Sequence, residues 1–457
     1  MTTEKDNQVP SIEFSSRINL PNNDQLYTVD IEKKEYFPHE HREILHPNTY
    51  FGAVVHIIKG SLGIGIFSVP RAFKTAGLLV GTIGTIFVGI LCTYNVHLLV
   101  RASHKICIRT RTPSLGFSET VEAIFHTGPS WIRPWAFCAK VFIEIALGLT
   151  YYLSAAVYVV LISESLAKLI APYYPPAADW GLYFKLIALA ILLCLCQIRE
   201  LKHLVPLSLT ANITIVIAFG ITLYYIALTI QKVDINERHL YTDVGSLPTF
   251  ISTVLFSIEG IGTIMPVENS MVTHTFVGPV GVLNVAMFSV LSVYTAMGFF
   301  GYFAFGEETE AAITQNLPND KVPAQIVQAC ITLTMILSFC LVYYVPTEIT
   351  WKKIEPRISQ KRQNIYNVIM RIVSVTLIIS IAAAAGSKMN ILIDLTGAIF
   401  FSILGIFVPA VVDTMINWND WGTLNWIMWK NVLLFVAFLV SIISGTYSAI
   451  HNMLANK

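Results

Sequence analysis

Residues 51–70, FGAVVHIIKGSLGIGIFSVP, are apolar enough to enter a bilayer, yet Gly60, Gly63 and Gly65 interrupt them near the middle. A plain spanning helix gains nothing from such breaks, because each glycine in a helix interior costs about 1 kcal/mol relative to alanine. Two ionisable residues, His56 and Lys59, stand just before the glycines. Either is expensive at membrane depth unless it faces protein or a water-filled cavity. Breaks and charge together mark a candidate binding site.

The rest of the chain fits a membrane setting. Of its 457 residues 54% are hydrophobic and only 13% charged, with a mean hydropathy of +0.62. A soluble domain is roughly one-quarter charged. Sliding a window of about 19 residues along the chain gives apolar segments near 51–70, 76–100, 136–163, 182–198, 206–230, 248–267, 279–304, 324–346, 366–386, 390–412 and 429–452. The expectation is an all-α membrane protein with eleven transmembrane helices, the ninth and tenth joined by the tight turn Gly386-Ser387-Lys388. Net charge is +1 with no basic cluster, which excludes a nucleic-acid footprint. The seven cysteines form no CxxC pair, so neither a metal site nor a disulfide framework is read from them.

Residues 1–48 are polar and carry Pro10, Pro21, Pro38 and Pro47, a composition expected to give a disordered tail ahead of a transmembrane domain at 49–457. No basic n-region leads into an apolar h-region, so no cleavable signal peptide is expected. Glu40 to Leu45 loosely matches an acidic dileucine-type sorting signal. Connectors on the tail's side collect Arg101, Lys105, Arg109, Arg111, Lys352, Lys353 and their like, whereas Arg71, Lys74, Lys168 and Lys388 fall on the other side. The bias of about two to one places the N-terminus in the cytoplasm. Gly77, Gly81, Gly84 and Gly89 in the second segment read as helix-packing positions, and the Asn212-Ile213-Thr214 sequon lies inside the fifth apolar segment, out of a transferase's reach.

The sixth segment repeats the peculiarity of the first. Ser257-Ile258-Glu259-Gly260-Ile261-Gly262 is followed by Pro266, as Gly63-Ile64-Gly65 is followed by Pro70. Interrupted segments at corresponding places in two five-helix halves point to a transporter site at the midplane of an inverted repeat. Unwinding frees backbone N–H and C=O groups where there is no water. Half-helix N-termini then suit a carboxylate, and freed carbonyls suit an ammonium or a coupling cation. A zwitterionic amino acid offers both charges.

These residues also carry a family resemblance. Residues 56–65, with Pro70 and Ala76-Gly77, resemble the first helix of the proton-coupled amino acid transporters, a branch of the amino acid/auxin permease family within the amino acid-polyamine-organocation superfamily. Glu259-Gly260-Ile261-Gly262 with Pro266 and Glu268-Asn269 resembles that family's helix 6, and Tyr344-Val345-Pro346-Thr347-Glu348-Ile349 its helix 8 end. The resemblance implies a five-plus-five inverted repeat (LeuT-like) with broken helices 1 and 6, and secondary active symport of small neutral amino acids with protons. His56 stands at the position of the family's proton-coupling histidine. The chain departs from vertebrate relatives at Asp320, where they have an outer-loop cysteine, and in carrying Glu144 and Asp394 within helices.

The expected substrate contacts are Gly60, Ser61, Gly63, Gly65, Ser257, Gly260 and Gly262, largely through backbone atoms. His56, Glu259 and Lys59 are the expected proton-coupling residues, with Lys59 and Glu259 as an expected ion pair. Glu144 and Asp394 are read either as secondary proton sites or as scaffold ion-pair partners. No cofactor and no metal is expected, and the absence of P-loop, GxSxG and HExxH motifs argues against an enzyme. Sodium-coupled or facilitative transport, with Thr332, Thr334 and Ser338 near a cation, is one alternative. An amino acid sensor with a signalling role on an endolysosomal membrane is the other, and the membrane of residence is expected to be that one or the plasma membrane.

Overall fold

The first apolar stretch forms two helices rather than one. Helix α1 (Tyr50–Ser61) starts where the Thr49 hydroxyl accepts from Gly52 N, and it stops as glycines replace side chains that would otherwise shield its backbone. Helix α2 (Gly65–Ala76) resumes at an angle of 57° to it. The computed structural model describes residues 36–44, 47–63, 65–199, 201–234, 237–258, 260–386 and 388–455. Phe37 onward belongs to one unit. Most of the expected disordered tail thus lies outside the described residues, but its last part, residues 37–44, is packed into the transporter unit.

After α2, the single residue Gly77, at φ +87°, turns the chain into α3 (Leu78–Thr110). A side chain there would strike Leu240 and Tyr241 backbone atoms at 2.7 Å. Arg71 and Lys74 are therefore helix residues, not the connector residues expected from the sequence, and Arg71 is buried. There follow α4 (Phe117–Thr127), α5 (Ala136–Ile170), α6 (Gly181–Leu195) and α7 (Leu201–Ile230). Helix α4, unforeseen in the sequence, is short and packs on α5 and on the last helix of the second half.

The second half repeats this plan. It begins with the interrupted pair α8 (Leu247–Ile258) and α9 (Ile261–Asn269) and continues through α10 (Val282–Phe305), α11 (Val322–Ile354) and α12 (Gln363–Ala385). It ends with α13 (Met389–Thr396) and α14 (Val408–Ile416), joined by two wide π turns at Gly397–Phe401 and Ile403–Phe407. Gly397 lies there directly on the Ser252 backbone of α8. Helix α15 (Trp426–Ala455) stands outside the repeat.

Among the described residues nine helices are long and apolar enough to cross a membrane, and the bent α1–α2 pair makes a tenth. The fourth expected span is α6, whose 15 residues fall short of the roughly 20 a straight span needs. The count of eleven therefore rests on that one short helix. Glycines let the elements close on one another: Gly81 lies against Phe73, Gly84 against Phe250, and Gly301 of α10 against Pro70 of α2. The two interrupted pairs sit at the centre, with α2 against both α8 and α10.

Candidate functional site

The two breaks meet. A Cβ on Gly65 would stand 2.6 Å from Ser257 Cα and 2.9 Å from its carbonyl oxygen, so these chains approach to a distance only glycine allows. A Cβ on Gly260 would stand 2.8 Å from Ser61 Oγ, and one on Gly60 the same distance from Thr263 Oγ1. Of the expected substrate residues, Gly60, Ser61, Gly63 and Gly65 are thus brought together with Ser257 and Gly260, and Gly262 lies close by against the Tyr151 hydroxyl.

Most polar groups at this junction are used. Thr263 N and Oγ1 both donate to Gly260 O, at 2.9 and 2.7 Å, and Ser257 Oγ donates to Thr253 O. Ser61 O accepts from Gly63 N at 2.9 Å and from the Tyr294 hydroxyl at 2.8 Å. The Ser61 hydroxyl is different. It is buried and, among the described residues, has no hydrogen-bond partner. A buried hydroxyl without a partner forfeits about 1–3 kcal/mol, and a ligand that supplies the missing bond recovers it.

Three tyrosines wall the junction: Tyr151 beside Gly262, Tyr158 beside Gly63, and Tyr294 on Ser61. The sequence reading missed all three. Tyr151 and Tyr158 are seven residues apart and so share one face of α5, which was the available signal; nothing local marks Tyr294.

Of the expected coupling residues, Glu259 lies outside the described residues, and with it the expected pair with Lys59. Lys59 Nζ donates to Ser208 Oγ of α7 at 2.8 Å, and His56 is exposed on α1. Glu144 pairs with Lys353, and Asp394 with Arg71, so both acids act as scaffold ion-pair partners in this structure. Arg71 grips Asp394 bidentately at 3.0 and 2.7 Å while Thr253 Oγ1 donates to Asp394 Oδ1 at 2.8 Å. This ties α2, α8 and α13 together just beyond the junction. Thr332 donates to Gln328 O and Thr334 hydrogen-bonds Thr214, which commits both hydroxyls within the scaffold.

A second charged cluster closes the end of the bundle where residues 37–44 dock. Arg42, 8% exposed, donates to both carboxylate oxygens of Glu268 at 3.0 and 3.1 Å and to the carbonyls of Glu268 and Met271. His104 Nε2 donates to the same Glu268 at 2.8 Å. His39 packs edge-on against His104 and His274, with ring centroids 5.0 and 4.3 Å away. Burial, and then the positive charge of Arg42, push the His39 imidazole down to about 4. Donor atoms of His39, His104 and Glu268 lie within 4.8 Å of one another, a spacing metal sites also use. Here the guanidinium already lies on the carboxylate and supplies the positive charge, so the cluster is an ion-pair latch.

At the opposite end a cavity of about 780 Å³ opens between α2, α5 and the 309–319 loop, with Arg71, Lys74, Glu164, Lys168 and Gln315 on its wall. The cavity, a vestibule, lies beyond α2 on one side of the junction, and the Arg42–Glu268 cluster closes the other.

Comparison with known proteins agrees with this arrangement. The family model described as transmembrane amino acid transporter protein matches residues 46–451. The Drosophila melanogaster proton-coupled amino acid transporter-like protein pathetic is 35% identical over 421 residues, spanning 92% of this chain and 88% of the relative. The Caenorhabditis elegans probable amino acid transporter skat-1 is 23% identical over 88% of this chain and 89% of its own length. Among solved structures, the inward-facing conformation of Mhp1 superposes with a TM-score of 0.51 at 14% identity, covering 88% of this chain and 90% of that one. That likeness shows the fold: an inverted repeat of the LeuT type with interrupted first and sixth helices.

Proposed function

The chain belongs to the transmembrane amino acid transporter family, a multi-pass integral membrane protein that transports amino acids, and from that premise we propose that it is a proton-coupled symporter of small neutral amino acids working by alternating access. The observation that carries the reading is the junction itself. Two interrupted helices touch at Gly65 and Ser257, and the unpartnered Ser61 hydroxyl is buried where their backbones are freed. Backbone donors and acceptors recognise the amino and carboxylate groups common to all amino acids. Tyr151, Tyr158 and Tyr294 stand against the junction, and walls of this bulk are what favours a short substrate side chain in this reading.

The latch and the vestibule supply the two gates. With the vestibule open and Arg42 seated on Glu268, substrate enters from the vestibule end; parting of Arg42 and His104 from Glu268 then opens the other end. The bias of Lys and Arg in the connectors puts the latch and the N-terminus in the cytoplasm and the vestibule outside or in an endolysosomal lumen. His56, at the family's coupling position on α1, is assigned to proton transfer on the latch side of the junction, together with Lys59 and Glu259.

Purified protein in liposomes under an imposed pH gradient tests this. Labelled glycine, alanine or proline accumulates when the vestibule side is acidic, and the accumulation collapses with a protonophore. Uptake that ignores the gradient removes proton coupling, and a His56→Ala protein with unaltered pH dependence removes His56 from the mechanism.

A further inference from the structure

Among the described residues, the acids shielded within the bundle are almost all paired with cations. Glu268 is held by Arg42 and His104, Asp394 by Arg71, Asp413 by Lys430 and Glu144 by Lys353. Each such carboxylate has a cationic side chain as its direct partner. Glu164, on the last turns of α5, is the exception. It lines the vestibule, and the group that hydrogen-bonds it is the neutral side-chain amide of Gln315.

The charged groups around it confirm its separate position. On its own helix, Lys168 lies one turn on, but its ammonium donates to the Gln315 backbone carbonyl. Lys185, from α6, donates to Gly386 O. Across the cavity on α2, Arg71 is spent on Asp394 and Lys74 donates to Thr309 O. Glu310 and Lys388 complete the charged wall, from the 309–319 loop and from the start of α13. Glu164 therefore shares the cavity wall with Glu310, while the hydrogen bonds of Lys168, Lys185, Arg71 and Lys74 go to other groups.

Gln315 suits such a carboxylate. A primary amide carries a donor and an acceptor side by side. Its Nε2 donates to the ionised carboxylate, and after a rotation of the amide its carbonyl oxygen accepts from the protonated acid. An arginine or lysine in that place would hold only the anion.

The geometry points to Glu164 as the vestibule-side proton acceptor of transport, loaded from the same compartment as the substrate. A proton from vestibule water forms the O–H bond on Glu164. As the pathway changes sides that O–H bond breaks and the proton passes to water on the latch side, so the proton crosses in the same direction as the substrate without any other reactant. This inference rests on the proton-coupled reading above and adds to it the acceptor that faces the entering substrate, on the opposite side of the junction from His56.

The test compares wild type, Glu164→Gln and Glu164→Asp in proteoliposomes, by gradient-driven accumulation and by exchange of labelled alanine at equal pH. If wild type accumulates alanine with the gradient and Glu164→Gln loses at least about tenfold of that accumulation while exchange remains measurable, Glu164 is the acceptor. Glu164→Asp keeps coupling but moves the pH midpoint of uptake. Glu164→Gln that accumulates alanine as wild type does, or Glu164→Asp with an unmoved midpoint, overturns the assignment. Should wild type itself ignore the gradient, the proton-coupled reading fails rather than this residue. If Glu164→Gln is inactive in both assays, the midpoint of Glu164→Asp decides.

Discussion

Replacing Gly65 by alanine should damage the protein far more than replacing Gly63, although the two are neighbours in a GxG. The new Cβ at position 65 would lie 2.6 Å from Ser257 Cα, 2.9 Å from Ser257 O and 3.0 Å from Ser257 Cβ. Carbon atoms at rest keep about 3.5–4.0 Å apart, so the two interrupted segments must separate by about 1 Å. What stands in the way is backbone, and no side-chain rotation relieves it. Overpacking of this kind costs about 1–3 kcal/mol. A Cβ on Gly63 meets nothing nearer than the Tyr158 hydroxyl at 3.9 Å, which is ordinary contact. Gly63→Ala should therefore stay within about 0.5 kcal/mol of wild type in stability. The same separation at position 65 pulls apart the groups that bind substrate, and affinity falls about tenfold for each 1.4 kcal/mol of strain borne by the bound state. Thermal unfolding in detergent and saturation binding of labelled alanine measure the two effects. A Gly65→Ala protein with wild-type melting temperature and affinity would refute the contact between the breaks.

Other perturbations probe the surrounding framework. Asp394→Asn leaves the Arg71 guanidinium buried without its anion and should cost about 3–5 kcal/mol, read as a lowered melting temperature, whereas the apolar pair Arg71→Met with Asp394→Leu should recover much of it. Arg42→Ala strands Glu268, 1% exposed, and should release residues 37–44 to limited proteolysis while raising the rate of substrate release at the latch end. The docked segment also responds to acid. His39 titrates near 6.5 when released and at about 4 when docked, so the released form binds more protons between those values. Docking is fully stable above about pH 6.5 and weakens as pH falls toward 4. Proteolysis of residues 37–44 across this range should show it, and His39→Asn should flatten the profile.

Much of the architecture was legible because membrane physics leaves few choices. Long apolar runs have to be helices, since a bilayer offers no partner for backbone groups. The paired breaks at Gly63-Ile64-Gly65 and Glu259-Gly260-Ile261-Gly262 mark the site because glycine at those places is costly without a reason. What the sequence concealed is which charge meets which. Arg71 reads as a loop cation because hydropathy windows end near Pro70, yet α2 continues to Ala76 and buries Arg71 on Asp394, 323 residues away. Arg42 reads as part of a polar tail, and only the fold shows Glu268 waiting for it. Pairings at such separations leave no periodic trace along the chain. Nor does Lys59's place beside the break reveal its hydrogen bond to Ser208, 149 residues on.

The central claim is that an amino acid binds where the two interrupted helices meet. An electron cryomicroscopy map of the protein in lipid nanodiscs with saturating alanine tests it most directly. The account predicts ligand density between Ser61–Gly65 and Ser257–Gly262, with the alanine within hydrogen-bonding distance of the Ser61 hydroxyl. Density confined to the vestibule beside Arg71 and Lys168, with the junction unchanged, would contradict it.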